Sequence, residues 1–228
     1  MYTNVNFPAS LGVMAFLGTA FVFVVIGGFL IYLLAVRKFA RARLVLFATI
    51  AIAGIYAAAV LAFSFASSEQ VLARGQEKHF CEIDCHLAYS IANVTQAKTI
   101  GNLSQPTVAG GMFTLVTIRT RFDENTIGPN RANSQLYPNP RSLTLTDEQG
   151  RSYSLSARGQ TALESSKASG TPITNALRPG ESYDTTLAFD VPAEAKNLTL
   201  LINESDWITH LIIGHENSPL HKKTRLQL

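Results

Sequence analysis

Two long stretches of this chain carry no charge. Ser10 to Val36 reads SLGVMAFLGTAFVFVVIGGFLIYLLAV, and Leu44 to Ser68 reads LVLFATIAIAGIYAAAVLAFSFASS. Each exceeds the roughly 20 residues that cross a hydrocarbon core. Each is apolar around the whole helical circumference, unlike a surface helix with one apolar stripe. One such run alone would also suit a buried core helix. Two of them, joined by RKFARAR, predict a membrane hairpin over residues 1–68. Lys and Arg stay on the cytoplasmic side, so both termini are expected outside. No basic segment precedes the first run, and a cleaved signal peptide fits poorly. Gly27-Gly28 and the Ala-rich AGIYAAAVLA allow close helix approach, either between the two spans or with a partner subunit. Neither span holds an acidic or basic residue, so no transport path or proton relay is expected.

Beyond Ser68 the pattern becomes one of short runs rich in Val, Ile, Thr, Tyr and Phe, the composition of strands. They fall at Ala88 to Thr95, Phe113 to Phe122, Arg141 to Thr146, Arg151 to Ser156, Ser182 to Val191, Asn197 to Ile202, Asp206 to Ile213 and Thr224 to Leu228. DEQG (147–150) reads as a hairpin loop and RPGES (178–182) as a Pro-Gly turn. Residues 69–88 form a spacer, polar and open to a helical reading in EQVLARGQEKH, that ends in a Cys/His stretch. The long loop Asp123 to Pro140 is too polar for core and suits either a binding loop or a solvated excursion. This regular spacing of strands predicts an immunoglobulin-like β-sandwich over residues 89–228. The fold class is therefore a membrane α-helical hairpin plus an all-β sandwich.

Charge sharpens this division. The chain has 19 basic and 16 acidic residues, and no acidic residue precedes Glu69. The basic residues before Glu69 are Arg37, Lys38, Arg41 and Arg43, so the net charge of +3 comes from the hairpin loop. The remainder is near neutral, which argues against a nucleic-acid partner.

The run LRPGESYDTTLAFDVPAEAKNLTLLI resembles the late strands of bacterial membrane- or lipoprotein-anchored immunoglobulin-like domains of unknown function. LTLTDEQGRSY resembles an earlier hairpin of the same domains. The resemblance covers Tyr89 to Leu228. It implies an extracytoplasmic domain at the bacterial inner (plasma) membrane, and it brings no catalytic residues.

Candidate chemistry gathers in HFCEIDCHLAYS, which holds both cysteines and two of the five histidines. Outside the cytoplasm Cys81 and Cys85 are free to form a disulfide. A regular helix holds residues four apart with Cβ atoms about 5–6 Å from each other, while a disulfide needs about 3.8 Å. A bridge therefore requires a turn. On a helix the same spacing would aim both sulfurs at one metal. Thiolate plus imidazole suits zinc or copper, with His79, His86, His215 and His221 as further candidate ligands. Haem c attachment is a third reading, with His86 as the axial ligand. The usual motif has two residues between the cysteines; the three found here resemble a rarer variant in multihaem cytochromes c. An ordinary turn is the fourth. Glu82 and Asp84 would tune a ligand or bind a cation, or simply be solvated. The cofactor is thus left open among none, copper, zinc and haem c.

No nucleophile elbow, zinc-protease helix, phosphate loop or dinucleotide fingerprint occurs, and a non-enzymatic protein is expected. The first expectation is an accessory subunit. Its hairpin docks a larger membrane protein complex, its sandwich binds a protein partner, and a Cys81–Cys85 clip braces it. The alternative is an electron-transfer or metal-handling protein using Cys81, Cys85 and His86.

Overall fold

The uncharged runs form two helices of 27 residues each, α1 (Ala9–Ala35) and α2 (Phe39–Phe65). The computed structural model describes the chain except residues 82–84, 103–105 and 129–130. α2 starts earlier than the uncharged run, so Arg41 and Arg43 lie on its first turns and the connection between the helices is tight. The hydroxyls of Thr49 and Ser64 donate to the carbonyls of Val45 and Val60 one turn back, each at 2.9 Å. These two hydroxyls are therefore satisfied within their own helix. Open space surrounds Gly27, Gly28 and Gly54 out to 4 Å, so the two helices do not meet at these glycines.

The chain divides into two units. One comprises residues 5–68 and 207–222; the other comprises 1–4, 69–206 and 223–228. The second is a β domain of two mixed sheets. The first sheet runs β1 (Tyr2–Thr3), β3 (Lys78–Phe80), β4 (Leu87–Ile100), β5 (Thr107–Phe122) and β8 (Ser182–Val191) in spatial order. The other runs β2 (Gln70–Leu72), β10 (Thr224–Gln227), β9 (Thr199–Glu204), β6 (Arg141–Thr146) and β7 (Ser152–Ser154). β1 pairs parallel with β3 and β2 parallel with β10, while the other pairings are antiparallel. Alternation along the strands turns one face of each sheet inward. Leu143, Leu145, Leu200, Ile202 and Leu226 of one sheet join Phe80, Tyr89, Val116, Ile118, Phe122 and Phe189 of the other in a single core.

Three expectations change. The segment EQVLARGQEKH is neither helix nor spacer. It supplies β2 and β3, and Leu72 enters the core through the pairing of β2 with β10. The run Asp206 to Ile213 is not a strand. It forms a short 3-10 helix, Trp207–Leu211, in the unit that holds α1 and α2. Its polar positions, Asp206, Thr209 and His210, do not alternate with apolar ones as a half-buried strand demands. Helix α3 (Ala157–Ser165) was not foreseen. Its first turn is capped by the Ser156 hydroxyl accepting from the Gly159 amide, and Ala162 and Leu163 pack beside Phe113 and Ala188 in a second small core. The DEQG hairpin forms as expected: Asp147 accepts from the amides of Gln149 and Arg151, and Gly150 takes the φ of +78° that closes the turn.

Charged side chains are also built into the β core. Arg141 and Glu204 are directly opposite on β6 and β9, and their side chains lie 3.4 Å apart, both buried. The Arg141 guanidinium covers the Phe80 ring at 4.2 Å, a favourable cation–π geometry. Lys78 is fully buried and donates to the carbonyls of Ile202 and Thr224 at 2.8 and 3.1 Å. Removing one member of a buried ion pair leaves the other charge uncompensated, at a cost of about 3 kcal/mol. Glu204→Ala is accordingly expected to lower the unfolding free energy of the detergent-solubilised full chain by about that amount. Urea titration of its β circular dichroism checks this; an unchanged midpoint would contradict it.

Candidate functional site

The candidate site is the end of the β3–β4 hairpin and the loop that follows β5. β3 ends at Phe80 and β4 begins at Leu87, in register with each other. The connection between them is closed by a disulfide between Cys81 and Cys85, whose Cα atoms are 4.0 Å apart. The bridge joins residues outside any helix, as the spacing requires. While it is closed, neither sulfur is a thiolate able to ligate a metal or a thiol able to attach haem. Glu82 and Asp84 lie outside the described residues.

Asn4 anchors this strap. Its side-chain carbonyl accepts the Cys81 amide at 2.8 Å, and its side-chain amide donates to Glu204 at 2.8 Å. Its own backbone amide donates to the carbonyl of His79 at 3.1 Å. The strap is thereby tied to the chain's first residues and to the buried Arg141–Glu204 pair.

His79 and His86 leave the strap in different directions. His79 is buried, and its Nε2 lies 3.2 Å from Asp123 Oδ2. A carboxylate only accepts, so Nε2 carries the proton. Nδ1 has no hydrogen-bond partner among the described residues. The His86 ring stacks on Phe122 at 5.1 Å, and its Nδ1 lies 2.6 Å from the Thr126 hydroxyl. That hydroxyl gives its one proton to the carbonyl of Asp123, so Nδ1 of His86 is the donor. The Asp123 amide in turn donates to the carbonyl of His86 at 2.8 Å. The cysteine strap and the start of the loop Asp123 to Pro140 are therefore stitched into one face.

Asp123 is the electrostatic hub of that face. Burial opposes its charge, but donors from Arg121, Asn125 and His79 outweigh it and hold its pKa at about 2. Arg121 also forms a bidentate pair with Glu77 at 2.7 and 2.6 Å. That pairing pulls the Glu77 carboxyl below its ordinary value and raises Arg121. Further along the loop, Leu136, Tyr137 and Asn139 join Phe80, His86, Leu87 and Arg141 around a cleft of about 30 Å³. That is room for a water or two, far below a substrate pocket. Tyr137 stands exposed at its rim.

Two further candidate ligands belong to the other unit. His215 and His221 belong to the unit that holds α1 and α2, whereas Cys81, Cys85, His79 and His86 belong to the β domain. His215 Nδ1 accepts the Asn217 amide at 3.0 Å, and His221 Nδ1 is 2.7 Å from the carbonyl of Lys222. Among the described residues, no three His, Cys, Asp or Glu side chains are grouped to hold a metal. Sequence reasoning missed Asn4, Asp123, Arg141 and Glu204. A polar residue directly after an apolar strand, as Asp123 is after Phe122, was the one signal available.

The chain belongs to the family described as a domain of unknown function, DUF4352, whose profile matches residues 82–210. No curated protein matches it. Similar solved structures include a conserved hypothetical protein from Bacillus anthracis, at 15% identity over 53% of this chain and 84% of that one, with a TM-score of 0.41. A secreted protein from Mycobacterium tuberculosis shows 10% identity over 71% and 98%, with a TM-score of 0.43. The yjhA protein of Bacillus subtilis shows 10% over 69% and 98%, with a TM-score of 0.41.

A depressed carboxylate pKa means stability that is present above the unfolded value and lost as pH falls through the folded one. For Asp123 that window runs from its ordinary 3.8 down to about 2. Asp123→Asn is expected to make stability less pH-dependent across this window while lowering it at neutral pH. Denaturation midpoints measured from pH 2 to 7 check this. An acid limb identical to wild type would remove Asp123 as its source.

Proposed function

We propose that this protein is a membrane-anchored, extracytoplasmic accessory subunit. Its immunoglobulin-like domain presents the disulfide-strapped face to a protein partner within a larger membrane complex. α1 and α2 form the anchor, the basic turn between them faces the cytoplasm, and both termini lie outside at the plasma membrane. The observation that carries the reading is the Cys81–Cys85 bridge in a domain joined to two long helices with exposed apolar side chains. Disulfides persist outside the reducing cytoplasm, and apolar helix surface needs lipid or another helix to cover it.

Two further features support it. Residues before and after the helical pair share one β domain: β1 pairs with β3, and Asn4 is buried there. Cleavage of the helices as a signal sequence would remove β1 and Asn4 with them. An uncleaved anchor keeps them. The strapped face, for its part, offers an exposed Tyr137 over a rigid, ion-paired base and a cleft too small for a substrate. Aromatic side chains on such bases anchor protein interfaces at little entropic cost.

The test is a photo-crosslinking residue at Tyr137 in the full-length protein, in its own membrane. A single stoichiometric protein adduct is expected from position 137 and none from an exposed control at Gln96 on β4. Adducts absent from both positions, or alike at both, would overturn the binding face.

A further inference from the structure

The unit that holds α1 and α2 contains a segment in which buried polar side chains lie beside exposed large apolar ones. In residues 207–222 a run of four polar side chains is inside, while His210 and Lys222 are exposed. His215 is 2% exposed, Glu216 1%, Asn217 4% and Ser218 2%. Three apolar ones are outside: Trp207 is 68% exposed, Leu211 42% and Leu220 65%, while Ile213 is buried and Ile208 and Ile212 are half-buried. Water selects the opposite arrangement. Hydrocarbon selects this one, because a polar group facing lipid has no partner there. Two of the inner polar side chains donate within the segment: Asn217 to the Thr209 hydroxyl at 2.7 Å, and the Ser218 hydroxyl to the carbonyl of Ile212 at 2.7 Å.

The segment also runs down along the helices. Near its end, the Lys222 amide donates to the Ser67 hydroxyl just beyond α2. Val5 bridges His215, and the Asn6 amide donates to the carbonyl of Gly214. Ile213 lies against Gly12, where a Cβ would stand 2.9 Å from the Ile213 carbonyl, so glycine permits the approach. Deepest is Leu211, whose carbonyl accepts from the Tyr56 hydroxyl at 2.8 Å. Tyr56 lies roughly nine residues, or about 14 Å at 1.5 Å per residue, before α2 ends at Phe65. Counted from Leu44, the first uncharged residue, the roughly 20 residues of a hydrocarbon core end near Phe63. Leu211 then sits beside the outer leaflet, below the level of the headgroups.

We infer that residues 207–222 form an interfacial membrane element, with Trp207, Leu211 and Leu220 seated in the lipid of the outer leaflet alongside α2. The inference rests on the reading of α1 and α2 as a membrane hairpin. Tryptophan is the side chain most at home at that boundary, and elements of this kind bury their apolar side about 5–10 Å into it. The β9–β10 connection thereby becomes part of the anchor.

Trp207 is the chain's one tryptophan, so its fluorescence reads the position directly. The full-length protein is reconstituted in phosphatidylcholine vesicles. It is then quenched either by phosphatidylcholine brominated at the upper acyl carbons or by iodide in the water. Brominated lipid is expected to remove about half of the emission or more, and iodide little of it. A Trp207→Phe/Phe21→Trp variant, with its tryptophan in mid-α1, tests the hairpin separately with lipid brominated near the bilayer centre. If that variant is quenched while Trp207 answers only to iodide, the hairpin stands and this inference falls. If brominated lipid quenches neither, the hairpin reading itself fails. A Trp207 shielded from both quenchers is covered by protein, which also overturns the inference.

Discussion

Much of the β domain hangs on one side chain. The amide of Asn4 accepts from Cys81, donates to Glu204, and sits next to a backbone bond to His79. Glu204 pairs with Arg141, and Arg141 covers Phe80 and hydrogen-bonds the Tyr89 hydroxyl at 3.3 Å. A residue that precedes the first helix thus fastens the disulfide strap to both sheets. A buried network of this kind is costly unless each member finds its partner. It therefore ties the position of the strap to the correct closure of the whole domain, including strand β1.

That coupling gives the strapped face its character. Phe122, stacked by His86 and approached by the Arg131 guanidinium at 5.2 Å, forms a rigid floor. Asp123 orients His79, Arg121 and Asn125 around itself. Side chains fixed in this way would leave little entropy to lose on binding the partner proposed for this face.

Much of this was legible in the sequence, and the remainder has physical reasons for being hidden. The two helices announced themselves by length and lack of charge, and most strands by β-branched content between turn residues. The disulfide was one of the readings open to Cys81 and Cys85, because the compartment permits it and a turn allows it. Strand β1 was invisible, since two residues carry no periodicity and Tyr2–Thr3 pairs only because β3 offers an edge. Nothing in the sequence marks Lys78, Arg141 and Glu204 as buried, for only their partners in the fold make burial tolerable. Asp206 to Ile213 misled because its β-prone content suggests a strand, whereas its polar positions lack the alternation of one and it forms a 3-10 helix.

The account stands or falls on what the two sulfurs do. The most direct measurement is the native mass of the full-length protein, gently extracted from its own membrane. The expected result is a bare chain, lighter than the reduced form by the hydrogens of two thiols. Added mass of a metal or haem that disappears in a Cys81→Ser/Cys85→Ser variant would contradict it and make the strap a cofactor site.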